Sequence, residues 1–531
     1  MTQTPNIALG VQISAQLKSR GVQVIFGIPG VHNQELYRGI EQAGLRHILA
    51  RHEQGAGFMA DGYARATGQP GVCYVITGPG LCNIMTPMGQ AYSDSVPLLV
   101  IASCLNPADM GRGRGRLHEM KDQRAAAETV ADWAVQAADA AGAMYWIDRA
   151  LAEFRGQRCR PKYLQVPMRL LETAVPLADL PPVVATTPPM TPDLTPLMAQ
   201  LCTARRPLFI LGGGAVKVSA PARVLQQMGA AVFETQAGRG IVPPDYPLHF
   251  GTMLEQPGSA DVIGSADLVV VVGSELSEVD LWREDLGHRV PLIRVDIDPQ
   301  TLTGADTGIA VQADAGAFWQ ALDKATGPDW TPATGWTAAE VAQQRHVWHR
   351  AAAAEYPGLA PLIDCLHSAL PPDTMIYSDM TQFAYAALMT WAMDRPGHWH
   401  HPYGFGTLGY ALPAAIGGAI GRPGLPTVAI AGDYGFQYTA QELATAVELR
   451  LPLPIIIWDN GKLGAIEASM VKAQIAPNAV IQQNPDFLAL ARAYGASAAA
   501  PRSLAELTAA VQAALRTDRP TVIHMTPATL G

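Results

Sequence analysis

Asp433 and Asn460 are the residues whose type and setting point most directly to chemistry. Asp433 follows an apolar run, Thr427 to Ala431, within a Gly-Asp-Tyr-Gly turn, and Asn460 follows a second such run, Pro454 to Trp458. Between them the spacing of apolar residues predicts an amphipathic helix over Thr439 to Arg450. The unit reads strand, helix, strand, and in a parallel sheet the turns at the carboxyl ends of its two strands lie side by side. Two oxygen donors would then meet. Hard donors of this kind suit Mg²⁺, which takes few protein ligands together with phosphate oxygens, and the free N–H groups of a helix start suit the phosphates. An Asp-Gly turn also occurs in α/β folds that bind nothing there, so the motif needs support from the rest of the chain.

That chain is 531 residues long, enough for about three domains. Hydrophobic residues make up 49% and charged ones 16%, which implies large buried cores. A net charge of −9 argues against a nucleic-acid partner. No apolar run approaches the roughly 18 residues of a membrane span, and no charged-then-apolar export signal opens the chain, so a cytoplasmic location is expected. Six scattered cysteines, with no CxxC and no His-Cys cluster, imply core packing rather than zinc or a disulfide framework.

Apolar runs and helical stretches alternate in three blocks, which predicts an α/β protein of three doubly wound parallel-sheet domains. The first covers 1–175, with strands at Val24 to Phe26, Gly71 to Ile76, Pro97 to Ala102 and Tyr163 to Val166 and a helix over Glu53 to Thr67. A proline-rich linker, Pro176 to Pro196, leads to a middle domain over 190–330, with strands at Leu208 to Leu211, Leu268 to Val272 and Leu292 to Asp296. A helix over Thr337 to Ala354 joins it to the third domain, 355–531, which contains Asp433 and Asn460 and can share a topology with the first. Gly212-Gly213-Gly214 lacks dinucleotide spacing and reads as a tight turn.

The turn at Asp433 and the one at Asn460 together resemble the thiamine diphosphate signature. So do Phe26 to Gly30, Arg51 to Ala56, Ala60 to Arg65, Thr77 to Gly80 and Asn83, which look like the pyrimidine-binding domain of the acetolactate synthase and 2-oxo acid decarboxylase group. The resemblance runs nearly the whole chain in order. It implies that thiamine diphosphate and Mg²⁺ are cofactors, with Asp433, Asn460 and the backbone carbonyl of Lys462 as metal ligands and the Tyr434-Gly435 backbone beside the diphosphate. Tyr434 stands where the family usually has glycine, and Gly435 follows one place later. Glu53 would hydrogen-bond the pyrimidine ring nitrogen and drive the tautomer whose amine removes the C2 proton. Its plainer reading is a helix-start carboxylate against the macrodipole. Leu408 would wedge the two rings apart, the Gly406 carbonyl would accept from the amine, and Met380 and Gln382 would touch the diphosphate. Simple core packing is the competing reading of Leu408.

Because Glu53 and Asp433 lie in different domains, the resemblance implies self-association, as a dimer or dimer of dimers with the cofactor between chains. It carries no expectation of FAD in the middle domain. Acetolactate synthases have Gln and Trp where this chain has Cys104 and Ser469, and Glu467 lies close to where decarboxylases carry an acid. Ile28 to His32, Glu35 to Gly39, Leu117 to Glu119, Lys121 to Gln123 and Asp459 to Gly464 resemble the decarboxylases of 5-guanidino-2-oxopentanoate, enzymes of arginine catabolism. This places His118, Glu119, Glu467 and Ser469 near substrate, with His118 and Glu467 as proton carriers, although His118 and Glu119 read equally well as a solvated loop pair. The rivals are an acetolactate-type carboligase, a flavin-dependent oxidase and a cofactor-binding paralogue without activity.

Overall fold

Valine-, isoleucine- and leucine-rich runs, buried on both faces, form three six-stranded sheets in which every paired strand is parallel. A computed structural model describes residues 6–176, 192–304 and 307–530. In the first unit the strands are β1 (Val24–Gly27), β2 (Arg46–Leu49), β3 (Gly71–Val75), β4 (Leu98–Cys104), β5 (Trp133–Gln136) and β6 (Lys162–Pro167), ordered β2-β1-β3-β4-β6-β5. In the middle unit they are β7 (Pro207–Leu211), β8 (Ala231–Glu234), β9 (His249–Gly251), β10 (Leu268–Val272), β11 (Leu292–Asp296) and β12 (Thr307–Gln312), ordered β9-β8-β7-β10-β11-β12. In the third they are β13 (Met375–Ser378), β14 (Trp399–His400), β15 (Thr427–Gly432), β16 (Pro454–Trp458), β17 (Ser497–Ala499) and β18 (Thr521–Met525), ordered β14-β13-β15-β16-β18-β17. Counted within each unit, the first and third sheets have the same order, and the middle sheet does not. The expected α/β class with three parallel-sheet units is the class observed. The expected linker, Pro176 to Pro196, falls mostly on 177–191, outside the described residues.

The first and third units share one core. Helix α1 (Glu53–Thr67) follows the second strand of the first unit, and helix α3 (Ala411–Gly421) follows the second strand of the third. Both are rich in glycine and alanine, which lets their backbones touch. A Cβ on Gly62 would lie 2.0 Å from the Ala414 carbonyl oxygen, and one on Gly417 would lie 1.8 Å from that of Met59. Around this crossing Phe58, Met59, Tyr377, Tyr410 and Ile416 are buried together, each large side chain stabilising by about 1.5–3 kcal/mol. A buried polar network crosses the same seam: Arg65 pairs with Asp61 at 2.7 Å and Asp94 at 2.8 Å, and the Tyr410 hydroxyl donates to Asp61 at 2.7 Å.

The helix after β15 differs from expectation. It begins at once as α4 (Asp433–Thr439), tightens into a 3-10 turn (Ala440–Glu442) and continues as α5 (Leu443–Glu448). Gly432 is still extended and Asp433 is already helical, so no separate turn intervenes. The chain therefore points the first turn of α4 directly at the sheet edge. In the middle unit, Gly212 and Gly214 pack against Gly273, where a Cβ on Gly212 would lie 2.3 Å from the Gly273 carbonyl oxygen. Close strand-end packing accounts for that glycine run. All six cysteines are free, but only Cys73 and Cys104 are buried, and Cys82 and Cys202 are exposed, so core packing explains fewer than the sequence implied. Among the described residues no helix is long and apolar enough to cross a membrane.

Candidate active site

Asp433 and Asn460 project from the carboxyl ends of neighbouring strands, because β15 and β16 pair in register up to Gly432 and Trp458. Asp433 is buried. Burial first, and the nearby Asp459 carboxylate second, hold its carboxyl above the ordinary range despite a hydrogen bond from Asn484. The Asn484 amide donates to Asp433 at 2.7 Å and to Asp459 at 2.8 Å, bridging the two carboxylates. His524 lies 2.8 Å from the other oxygen of Asp459. Burial opposes ionisation of Asp459, but His524 and the Gly461 amide outweigh it and hold the carboxyl low. Asn460 donates to Gln382 at 2.8 Å and accepts from the Lys462 backbone at 3.3 Å. Two carboxylates, Asp433 and Asp459, and three amides, Asn460, Asn484 and Gln382, therefore lie at one sheet edge.

Asp379, at the end of β13, closes the other side. It is 1% exposed, and burial pushes its carboxyl up to about 6 against hydrogen bonds from the backbone of Met380, Gly409 and their neighbours. A Cβ on Gly435 would lie 2.7 Å from its Oδ2. Gly435, rather than half-buried Tyr434, is thus the position without room for a side chain, which explains why the glycine stands one place later here. Met380 and Gln382 are half-buried on the same rim, and the Met380 methyl lies 3.7 Å from where a Cβ of Gly406 would sit. Gly406 is exposed with φ of 65°, and Leu408 is half-buried. Their loop is held from the first unit: Gln90 accepts from the Thr407 hydroxyl at 2.9 Å, and Asp94 accepts from the Gly404 amide at 3.0 Å.

Glu53 opens α1 and is 7% exposed. Its Oε2 accepts from the Asn83 amide at 2.9 Å, and no hydrogen bond is formed by Oε1 among the described residues. His52 caps the helix by accepting from the Gln54 amide at 3.1 Å. His118 follows β4 by a long loop, with φ of 62°, a conformation costly for a side chain with a Cβ. Its Nδ1 lies 2.9 Å from the Thr77 carbonyl, so Nδ1 carries a hydrogen, which in the neutral ring leaves Nε2 as the acceptor. The His32 ring stands 4.9 Å away, its titration lowered by burial and then by His118.

The remaining sequence-derived candidates form no hydrogen bond with Asp433, Asn460 or Glu53 among the described residues, although Glu467 joins the Asn460 turn through Lys462. The Glu119 carboxylate accepts from the amides of Arg116, Gly113 and Arg114, which hold it low and close its own loop. Glu467 pairs with the Lys462 ammonium at 2.5 Å. Ser469 is exposed on helix α6 (Gly464–Lys472), which buries only Gly464. Cys104 is buried, and desolvation raises its thiol. Asp379 and Asn484 have places at the site that their sequence setting did not assign, and Asn83 and His32, named only within motifs, gain their partners Glu53 and His118 here. The Asn-Pro-Asp run at 484–486 was the visible signal for one of them.

Three family models match in chain order: the thiamine pyrophosphate enzyme N-terminal TPP binding domain over residues 7–126, the central domain over 194–322, and the C-terminal TPP binding domain over 379–525. The chain belongs to the thiamine pyrophosphate enzyme family. It is 42% identical to the probable 2-ketoarginine decarboxylase AruI of Pseudomonas aeruginosa, over 99% of this chain and 95% of that one. It is 29% identical to the acetolactate synthase isozyme 2 large subunit of Escherichia coli, over 96% and 93%. The acetolactate synthase large subunit of Corynebacterium glutamicum is 28% identical, over 96% of this chain and 85% of that one.

The residues fit the family's cofactor. Asp433 carries a buried carboxylate with no cation partner among the described residues, and the Gly435 backbone beside it packs without a side chain against Asp379. Among the described residues no three His, Cys, Asp or Glu side chains form a metal cluster. Asp433 with amide and carbonyl oxygens therefore matches a cation that takes its other ligands from phosphate and water.

Proposed function

We propose that this enzyme is a thiamine diphosphate- and Mg²⁺-dependent decarboxylase that converts a 2-oxo acid, 5-guanidino-2-oxopentanoate, to CO₂ and 4-guanidinobutanal, within arginine catabolism. One observation carries the reading: a chain aligned almost end to end with a 2-ketoarginine decarboxylase has a buried helix-start carboxyl, Glu53, and an Asp433-Asn460 edge, the two halves of a cofactor grip. Asp433, Asn460 and the Lys462 carbonyl would hold the metal, with the α4 backbone at Tyr434 and Gly435, Met380 and Gln382 beside the diphosphate. When bound, thiamine diphosphate supplies a carbon nucleophile and takes up the electrons released as CO₂ departs. Glu53, anchored by Asn83 through Oε2, keeps Oε1 to pass a proton to and from the pyrimidine nitrogen. Leu408 and the Gly406 carbonyl orient the rings. His118, with Nε2 as acceptor, and Glu467 move protons on the substrate side, with Ser469 and Glu119 flanking the entrance.

Cys104 and Ser469, smaller than their counterparts in acetolactate synthases, favour decarboxylation of a long acid over carboligation of pyruvate. The ion pair of Glu467 with the Lys462 ammonium supports a role for this carboxylate toward a cation, and a guanidinium would take the place by displacing the lysine. Completing the site takes the first unit of one chain against the third of another, as a dimer or dimer of dimers. Exposed Val31, Leu117, Ile466, Val471 and Ile481 provide apolar surface for that contact. Six free thiols suit a reducing cytoplasm.

The test is kcat/KM for the guanidino acid against 2-oxohexanoate and pyruvate, with CO₂ and aldehyde both measured. The guanidino acid should lead by about 100-fold. Equal use of 2-oxohexanoate refutes the cationic pocket, and acetolactate from pyruvate alone refutes decarboxylation to an aldehyde.

A further inference from the structure

Glu442 ends the 3-10 turn between α4 and α5, is fully buried, and has no part in the scheme above. Both of its carboxylate oxygens lie 3.1 Å from the Arg51 backbone nitrogen, and Oε1 lies 3.0 Å from that of His52. The Thr445 hydroxyl stands 3.0 Å from the Leu49 carbonyl and 3.2 Å from the same carboxylate. A Cβ on Gly55 would come within 2.2 Å of Oε1, so glycine there makes room for the carboxylate. Apart from the Thr445–Glu442 bond, every one of these contacts falls on residues 49–55, the junction of β2 and α1. Glu53 sits in its middle.

We propose that Glu442 is a positioning residue: its carboxylate fixes the Arg51-His52 turn and thereby presents Glu53 at the start of α1 in working orientation. The proposal rests on the proton-carrying role given to Glu53 above. Burying a carboxylate is costly, and it is retained where it satisfies N–H groups that would otherwise be stranded. Here burial pushes the carboxyl up to about 7, with the Arg51 and Thr445 hydrogen bonds opposing. The reverse contact obeys the same plan. Gln90 and Asp94, at the end of helix α2 (Pro79–Ser93) after the third strand of the first unit, hold the Gly404–Thr407 loop that precedes α3. Each unit thus clamps, from the helical segment after its third strand, the loop that leads into the other's crossing helix.

Glu442→Leu removes both acceptors, whereas Glu442→Gln keeps an oxygen able to serve Arg51 and His52. In cofactor-free protein, the Leu variant should exchange the Arg51 and His52 amides at least about tenfold faster, and in loaded enzyme kcat should fall about tenfold with KM within about threefold. The Gln variant should restore both to within about threefold of the parent. Gly55→Ala reaches the same contact from the first unit, displaces the carboxylate, and should repeat the Leu result should that variant not fold. Unchanged exchange in Glu442→Leu or Gly55→Ala, or faster exchange with unchanged kcat, overturns the proposal. Full activity in Glu53→Gln overturns the functional reading instead, and the exchange data stand apart from it.

Discussion

In the first sheet the turn after the third strand is Thr77-Gly78-Pro79-Gly80, neutral and glycine-rich, whereas the turn at the same place in the third sheet carries Asp433. After the second strand the assignment reverses: the first unit places Glu53 at the head of its crossing helix, and the third places Gly406 and Leu408 in an uncharged loop. The strand order is the same in both. What differs is a handful of loop residues, and in the proposed function they make one edge a holder of cation and phosphate and the other a proton carrier. The scaffold sets where chemistry can sit, and the loops decide which chemistry it is.

The contrast predicts separable defects. Glu53→Gln should cut kcat by more than about 100-fold while thiamine diphosphate affinity, by calorimetry in Mg²⁺, stays within about threefold. If more than about a tenth of kcat survives, a barrier change of only ~1.4 kcal/mol, the first edge is not the proton carrier. Asp433→Ala should do the opposite, weakening cofactor affinity about 10- to 100-fold and regaining much of its turnover in excess Mg²⁺ and cofactor. Unchanged affinity would move the metal off the third edge.

A smaller effect sharpens the comparison through Glu442, the carboxylate that ties the two edges together. Its carboxyl is raised from 4.5 to about 7 in the folded chain, so its contribution to stability is full below the unfolded value and is lost as pH rises through about 7. Glu442→Gln lacks this loss. The difference in Tm between variant and parent should therefore move in the variant's favour from pH 5 to pH 8, and a flat difference would show that the buried group does not titrate there. Taking the difference cancels the buried histidines His400 and His401, whose lowered titration has the opposite sign.

Much of the fold was legible because strands buried on both faces read as continuous apolar runs: Leu268–Val272, Leu292–Asp296 and Pro454–Trp458 stand where their composition puts them. The start of α4 was not legible, since Gly-Asp-Tyr-Gly has the composition of a turn and only the sheet edge makes its first residue helical. Asp433 and Asn460 stand out locally as polar residues at the ends of apolar runs, and Glu53 stands out through the Arg51 to Ala56 motif at a helix start. Glu442 does not. Its partners Arg51 and His52 lie about 390 residues earlier, and nothing near it in the chain marks a carboxylate that faces another unit's backbone. Asn484 lies in a legible Asn-Pro-Asp run, but its bridge between two carboxylates exists only once the folded sheet brings them within its reach.

The backbone contact between α1 and α3 fixes the outer two units of one chain against each other. With Gly62 against Ala414 and Gly417 against Met59, and with Tyr410 bonded across the seam to the Asp61-Arg65-Asp94 cluster, the outer two units cannot hinge without breaking a buried, charged contact. Passage of substrate and product must instead come from elements that bury little. Helix α6, with Ile466 and Val471 half or more exposed, and the glycine-bearing loop Gly111 to Gly115 meet that description. Admission is a matter of local gates on a rigid frame, and turnover limited by release would respond to changes in those gates rather than to changes at the seam.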